Sequence, residues 1–508
     1  MRCGQRGSDE AVPVPAERPA LARNAAVQLA AQLSSGAFGA VLVLFLTREL
    51  EPAGFGLFAL ALGIGALLML PSDFGISAAA ARFVAERADD EETVAQITRQ
   101  ALRLKLAATG LVSLALFALA GSVAAAFGEP ALTWPLRGIA LAILGQSVFL
   151  FFGGLFLARH RPALNLRLTA GESAVEFGAS IALVLLGAGA AGAAFGRAVG
   201  YGAGALLGAL LTARMLGWRS VTPAGGGWTR PVAGYAGPLA VTNSVTTALA
   251  YLDTVIVAAF LGSAAVALVQ APLRLIPILL YPALAVASTV APTLTRSRPG
   301  QALEPAPFLI ALRLLIVLHA AVVAVVFVWA RPIVQLLFGS AYAESADVLR
   351  ALSPYVFLAG LAPLLAFSAN YMGAAGGRLP IALAALIVNV VADLLLIPAV
   401  GVVGAAVGLS LAFLVYVPAH VLLCRRELDF SLRPLLLTLV RAVIAAGAAS
   451  LALLAAGTSE LSAAEWIAGS LAALVVFLVV LVATRELSRT DAELAYGALR
   501  RGAAGSMP

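Results

Sequence analysis

Cysteine and histidine are scarce in this 508-residue chain, with 2 and 3 copies. Cys3 and Cys424 have no second cysteine at metal-ligand or redox spacing, so no disulfide is expected. His160, His319 and His420 are scattered without the spacing of a metal site. Charge is sparse as well: 12% of residues are charged, against roughly 25% in soluble proteins. That excludes an ordinary soluble enzyme. There is no glycine-rich phosphate loop, nucleophile elbow or His-Glu metal motif, and no predicted loop exceeds about 20 residues, too short for a folded soluble domain. An integral-membrane glycan polymerase or glycosyltransferase, which needs an extended outer loop with catalytic Arg or acidic residues, is therefore disfavoured. The chain reads as a non-enzyme without a cofactor.

What is abundant is apolar sequence. Hydrophobic residues make up 61% of the chain and the mean hydropathy is +0.97, in repeated blocks of about 20 residues, the length a helix needs to cross roughly 30 Å of hydrocarbon. Marking these blocks between polar breaks predicts an all-α integral membrane protein with about fourteen spans. The first block starts near Asn24, after a mixed-charge stretch, and is too long for a signal-peptide core. The net charge of +7 does not indicate nucleic acid, because the basic residues sit in short connections rather than on one face. With the N-terminus inside, cytoplasmic segments hold most of them, including Arg82, Arg87, Arg99, Arg103 and Lys105 in one connection and Arg425, Arg426 and Arg433 in another. The opposite side has Arg48, Arg137, Arg331 and Arg350. This asymmetry places both termini in the cytoplasm. The connection from Glu86 to Gln100 reads as a short charged helix lying on the membrane, or a solvated connector.

An internal repeat organises the spans. Gly189-Ala-Ala-Gly192-Ala193-Ala194-Phe195-Gly196 returns as Gly401-Val-Val-Gly404-Ala405-Ala406-Val407-Gly408, offset by 212 residues. Phe127-Gly128 and Phe338-Gly339 keep nearly the same offset. Two six-span lobes of equal orientation follow, related by a pseudo-two-fold along the membrane normal. The expected organisation is a cytoplasmic tail over 1–24, an N-lobe over 25–213, a linker over 214–234, a C-lobe over 235–424, two added spans over 435–484 and a tail over 485–508.

A charge in mid-membrane costs at least about 2.5–3.5 kcal/mol, so each one is a candidate site. From the rise of about 1.5 Å per residue, Asp253 on the seventh span and Asp393 on the eleventh lie at one depth, with Asn389 a turn deeper on the same face as Asp393. Two carboxylates and an amide suit Na⁺ or a shared proton; separate packing roles are the alternative. Arg274 on the eighth span lies near the midplane, where its guanidinium fits a pyrophosphate or pairs with Asp253. On the fifth span Glu172 and Glu176 are one turn apart, with Arg197 of the sixth span in reach; an ion pair is preferred to a substrate contact. Asp73 follows Pro71 where helix 2 can bend, and Pro238 interrupts the seventh span; these three are candidate hinge residues.

Leu46-Thr-Arg48-Glu-Leu-Glu-Pro-Ala-Gly-Phe55-Gly56-Leu-Phe58 and Ser72-Asp73-Phe74-Gly75-Ile76 resemble the opening of oligosaccharide flippases of the polysaccharide biosynthesis family. Leu337-Phe338-Gly339-Ser-Ala-Tyr342 and Leu396-Ile397-Pro398-Ala-Val-Gly401-Val-Val-Gly404-Ala-Ala406 match the same pattern. These proteins belong to the multidrug, oligosaccharidyl-lipid and polysaccharide exporter superfamily. The resemblance spans roughly residues 20–484. It implies a two-lobed bundle in the bacterial inner membrane that moves undecaprenyl-pyrophosphate-linked glycan outward by cation-coupled alternating access, for surface polysaccharide such as O-antigen. Its implied partners are the lipid bilayer, the polyprenyl-pyrophosphate-linked glycan and glycan-polymerase machinery. It further implies a basic residue near Arg274 and a Na⁺ or proton site on Asp253, Asn389 and Asp393; Arg197 and Arg48 join Arg274 as candidate substrate-binding residues. The Na⁺ site of the lipid II flippase branch adds a hydroxyl from the twelfth span. Here Leu409 occupies that place and Ser410 follows it. A drug or small-molecule exporter of the same architecture is the rival reading.

Overall fold

The computed structural model describes residues 17–216, 227–295, 303–459 and 461–487. Cys3, residues 1–16 and 488–508 of the two tails, the middle of the 214–234 linker and the side chain of Pro238 lie outside the described residues. Seventeen α-helices and no strand occur among the described residues. They are α1 Glu17–Asp73, α2 Ile76–Glu86, α3 Glu91–Ala126, α4 Thr133–Ala158, α5 Pro162–Leu183, α6 Gly189–Leu216, α7 Thr229–Leu261, α8 Ser263–Val290, α9 Ala306–Val328, α10 Ala330–Phe338, α11 Ser345–Ala351, α12 Ser353–Ala359, α13 Ala362–Tyr371, α14 Arg378–Val400, α15 Val402–Leu428, α16 Arg433–Ala456 and α17 Ala463–Ala483. Among the described residues, twelve segments are long and apolar enough to cross a membrane. Two of them, Ala30–Asp73 and Pro162–Leu216, contain backbone breaks, at Glu51 with φ 53° and at Gly187 and Gly189 with φ 88° and 54°. The expected fourteen is reached only by dividing these two.

The chain divides into two compact units. One comprises 1–42, 68–125 and 130–243; the other comprises 43–67, 126–129 and 244–508. In the first unit, Val84, Ile97, Phe151, Phe152, Phe156 and Leu168 form the centre of the core. There α6 packs against both α4 and α5, and glycines allow the approach: a Cβ at Gly145 or Gly200 would meet the backbone of the facing helix within 3 Å. In the second unit the core runs through Leu315, Trp329, Leu364, Ala385 and Val417 to Phe477. The two helices outside the repeat are anchored here. α16 packs on α9 and α17, Trp329 Nε1 donates to the Gly457 carbonyl at 3.0 Å, and the Trp329 and Trp466 rings meet edge-on at 4.7 Å. A capping box between Ser462 and Glu465 starts α17.

The repeat survives as local geometry inside each unit. Gly189 and Gly401 share a backbone conformation that glycine tolerates best, φ/ψ 54°/−138° and 67°/−145°. Gly128 and Gly339 both take positive φ, and each is followed by a 3₁₀ turn, Pro130–Leu132 and Ser340–Tyr342. Gly192 packs on Leu183 and Gly196 on Ser180, while Gly404 packs on Leu396 and Gly408 on Asp393.

The charged connector is corrected. Glu91 to Gln100 is no separate surface helix but the opening turns of the continuous α3, with Val94, Ile97 and Thr98 buried against the first core. Asp90 sets the start, accepting from Thr93 N at 3.0 Å and Thr93 Oγ1 at 2.6 Å. Lys105 is likewise no loop residue, being buried on α3. The tenth span, read as one helix, is broken into α11, α12 and α13.

Candidate functional site: buried charges within the helices

In the second unit α14 and α15 pack closely because Gly404 and Gly408 remove side chains from the contact. A Cβ on Gly408 would collide with Asp393 Oδ1. Asn389 and Asp393, one turn apart on α14, are fully buried. Asn389 Nδ2 donates to Asp393 Oδ2 at 3.2 Å, while Asn389 Oδ1 and Asp393 Oδ1 are buried with no hydrogen-bond partner. Two hard oxygens are thus left uncompensated, and a buried acceptor without a donor is costly. These oxygens fit a Na⁺ or proton ligand set. Asp253 on α7 is also buried, and Asp393 lies within its electrostatic reach. Its Oδ1 accepts from Thr254 N at 2.6 Å and Thr254 Oγ1 at 3.3 Å, and Gln270 Nε2 donates to that hydroxyl at 2.8 Å. Ser410 Oγ is committed elsewhere, donating to the carbonyls of Ala351 and Ala406 at 2.9 Å each, and Leu409 is buried beside it. No group of three or more His, Cys, Asp or Glu residues able to hold a metal occurs among the described residues.

Arg274 stands inside α8, a helix interrupted by Pro272, Pro277 and Pro282. Its guanidinium lies 5.8 Å from the centre of the Tyr251 ring, and its Nη2 is buried without a hydrogen-bond partner. The alternative of an ion pair with Asp253 is not formed, although the two charges are close enough to interact. Arg48 is held by backbone: Nε donates to the Leu337 carbonyl at 3.1 Å and Nη2 to the Leu336 carbonyl at 2.5 Å, capping the last turn of α10.

In the first unit Arg197 Nη1 donates to Glu176 Oε1 at 2.6 Å, and its Nη2 to Tyr201 Oη at 2.9 Å. Glu172 accepts from Ser173 and keeps one buried oxygen unpartnered. Ser180 and Asp393 hold matching places, each packed against the corresponding repeat glycine, Gly196 and Gly408, with Glu176 and Asn389 one turn before them. The helix-2 break lies just beyond Pro71 and Asp73, at Phe74 with φ 41° and Gly75 with φ 74°. Asp73 there is ion-paired to Lys105, a contact that sequence reasoning missed. The available signal was composition: Lys105 is the one lysine among 33 Lys and Arg residues.

Unpartnered buried oxygens and an unpartnered guanidinium nitrogen thus lie inside apolar helices that glycines let pack closely. The profile of the polysaccharide biosynthesis protein family matches residues 21–297, and the chain belongs to that family. Its fold is similar to the lipid II flippase MurJ in an inward closed conformation, with 12% identity, a TM-score of 0.74, and 90% of this chain and 98% of that chain covered. It is also similar to an inward-facing multidrug resistance transporter of the MATE family, with 16% identity, a TM-score of 0.56 and coverage of 79% and 94%. A eukaryotic MATE transporter gives 16%, 0.58, 82% and 98%. No curated protein sequence matches the chain.

Proposed function

We propose that this protein is a flippase that carries polyprenyl-pyrophosphate-linked oligosaccharide from the inner to the outer leaflet of the bacterial cytoplasmic membrane, with both termini in the cytoplasm. The observation that carries the reading is Arg274, whose buried Nη2 has no protein partner. A guanidinium placed among apolar helices is costly unless it meets an anion, and its planar fork matches two phosphate oxygens at once. The glycan and pyrophosphate occupy a polar site near Arg274 while the polyprenyl tail remains in lipid. Arg197 and Arg48, engaged with Glu176 and with backbone carbonyls, contact cargo only by exchanging those partners.

Coupling is assigned to Asp253, Asn389 and Asp393. Na⁺ or a proton bound to the unpartnered oxygens of Asn389 and Asp393 favours whichever conformation holds the ligand set together, since a ligand shifts an equilibrium only by its differential affinity for the two states. Glycan-polymerase machinery is the expected downstream partner.

The rival is export of a small cationic molecule, favoured by the buried carboxylates of Asp253 and Asp393. Deleting the gene and analysing membrane lipids separates the two. Accumulation of a lipid-linked oligosaccharide in the inner leaflet, cured by wild type and not by Arg274→Ala, supports the flippase. Unchanged lipid-linked glycans together with raised sensitivity to cationic drugs would establish the rival.

A further inference from the structure

Lys105 is an anomaly of composition and of place. Every other basic residue outside the histidines is arginine, yet the position buried to 1% exposure holds the single lysine. Its ammonium touches Asp73 Oδ1 and donates to Ser77 Oγ at 2.7 Å. Ser77 Oγ in turn donates to Asp73 Oδ1 at 2.7 Å, closing a three-membered ring. A guanidinium binds a carboxylate at least as well and keeps its proton at all accessible pH, whereas an ammonium can give its proton up. Where arginine serves at every other Lys or Arg position, the residue here is the one of the two that can give up a proton.

The surroundings suit that chemistry. Of the described charged groups, Asp73 is the one whose field reaches Lys105. Around the pair, α4 presents Ser147, which shares a hydrogen bond of 2.8 Å with Thr109, and Thr109 also donates to the Ser72 carbonyl at 3.1 Å. These groups are neutral. Arg99 and Arg103 on the same helix are exposed. The Asp73 side chain keeps 28% exposure, so one member of the pair is partly exposed while the other is sealed. The pair also stands at the backbone break of Phe74 and Gly75, where α1 gives way to α2.

We propose that Lys105, Asp73 and Ser77 form a proton-exchange site that ties α3 to the break between α1 and α2. In the paired state Nζ carries three protons and Asp73 is a carboxylate. Transfer breaks one Nζ–H bond, whose electron pair stays on nitrogen, and forms an O–H bond on Asp73 Oδ1, leaving a neutral amine and a neutral acid. Asp73 then passes the proton to water at its exposed edge. The charge attraction holding the end of α1 at Asp73 to α3 is lost with it, and protonation restores the tie. The site uses no residue of the Asp253, Asn389 and Asp393 set, and it stands whichever cargo the protein carries.

The lone lysine makes the test direct. Full-length protein labelled with ¹⁵N-lysine and held in lipid nanodiscs gives a single Nζ signal. We expect that signal to move between ammonium and amine positions across the pH range in which the protein stays folded. In Asp73→Asn the midpoint of that movement is displaced, because the amide cannot accept the proton; if that variant does not fold, Ser77→Ala provides the perturbation. In a pH jump read with an indicator dye, wild type should exchange about one proton per chain more than Lys105→Arg, the proton count that linkage assigns to one titrating group. A signal fixed at the ammonium position at every pH, or equal proton counts for wild type and Lys105→Arg, would reduce the pair to a structural tie. Neither readout involves cargo, so this failure is distinct from failure of the flippase reading.

Discussion

Asn389 Nδ2 donates to Asp393 Oδ2 at 3.2 Å, and the second oxygen of each residue is buried with no partner. The hydrogen bond ties the two side chains together on one face of α14 and leaves one acceptor of each unsatisfied. For a purely structural role this is a poor arrangement, since each uncompensated acceptor costs about 1–3 kcal/mol.

Asp393→Asn should therefore fold, because an amide can keep the bond to Asn389, and should lose its response to the coupling ion. A ligand at ten times its dissociation constant stabilises the folded state by about 1.4 kcal/mol. Thermal unfolding of wild type should rise when choline is replaced by Na⁺, or change with pH if the ligand is a proton, and Asp393→Asn should show neither effect. An equal response in both proteins would return Asn389 and Asp393 to packing.

The repeat makes a second prediction from sterics alone. A Cβ on Gly404 would lie 2.5–2.7 Å from Leu396 C and O and Ile397 N, all backbone atoms that cannot turn aside. Gly404→Ala should destabilise the second unit by about 1–3 kcal/mol, the usual cost of overpacking. Gly447, with open space around it, is the control: Gly447→Ala should be neutral or stabilising by up to about 1 kcal/mol from helix propensity. Unfolding in detergent followed by circular dichroism checks both.

The repeat shows what was legible and what was not. Gly189 and Gly401 stood out because a glycine forced by backbone geometry leaves the same mark at the same offset, and hydropathy showed the helices because lipid imposes their length. Depth along a helix brought Asp253 and Asp393 to one level, but rise alone says nothing of azimuth, so the absence of an Arg274–Asp253 ion pair could not be read. Lys105 was misplaced for a related reason. Charge in the first turns of α3 looked like a loop, because a helix longer than the membrane is thick carries polar residues beyond the apolar block. The breaks inside the tenth span were hidden because Gly360 and its neighbours remain apolar.

Acid should loosen α16 and α17 before the rest of the second unit. Glu486, just beyond α17, is buried and accepts from Arg313 Nη2 at 2.8 Å, Thr438 Oγ1 at 2.7 Å and Arg441 Nη1 at 3.0 Å. Burial pushes its carboxyl up, but the hydrogen bonds from Thr438, Arg313 and Arg441 outweigh burial and hold it below the usual range. A depressed carboxyl contributes stability above its unfolded value, near ~4.3, and loses it as pH falls through the folded value. Tryptophan fluorescence should report the separation of Trp329 from Trp466 in that acid window. Glu486→Gln, weakened by about 1.5–3 kcal/mol through loss of charged hydrogen bonds, should show loosened packing at neutral pH and no further acid step.

Arg274 carries the substrate prediction, and the form of its surroundings decides which variants are informative. Its Nη2 has no partner, and the Tyr251 ring supports it at 5.8 Å. If the guanidinium holds pyrophosphate, removing it costs a charged hydrogen-bonded contact of about 1.5–3 kcal/mol, which is roughly ten- to hundred-fold in affinity at 1.4 kcal/mol per decade. Arg274→Ala should lose that much for a short-chain polyprenyl pyrophosphate measured by calorimetry in nanodiscs. Arg274→Lys should recover little, because an ammonium is a point charge without the planar fork. Tyr251 separates orientation from charge. Tyr251→Phe keeps the ring face and should bind as wild type does, whereas Tyr251→Leu removes a cation–π contact of about 0.5–1 kcal/mol and should weaken binding less than tenfold. If Arg274→Lys binds as tightly as wild type, the site reads charge alone and the bidentate assignment fails. If Arg274→Ala does so while remaining folded, the pyrophosphate is held elsewhere and the flippase reading loses the residue on which it rests.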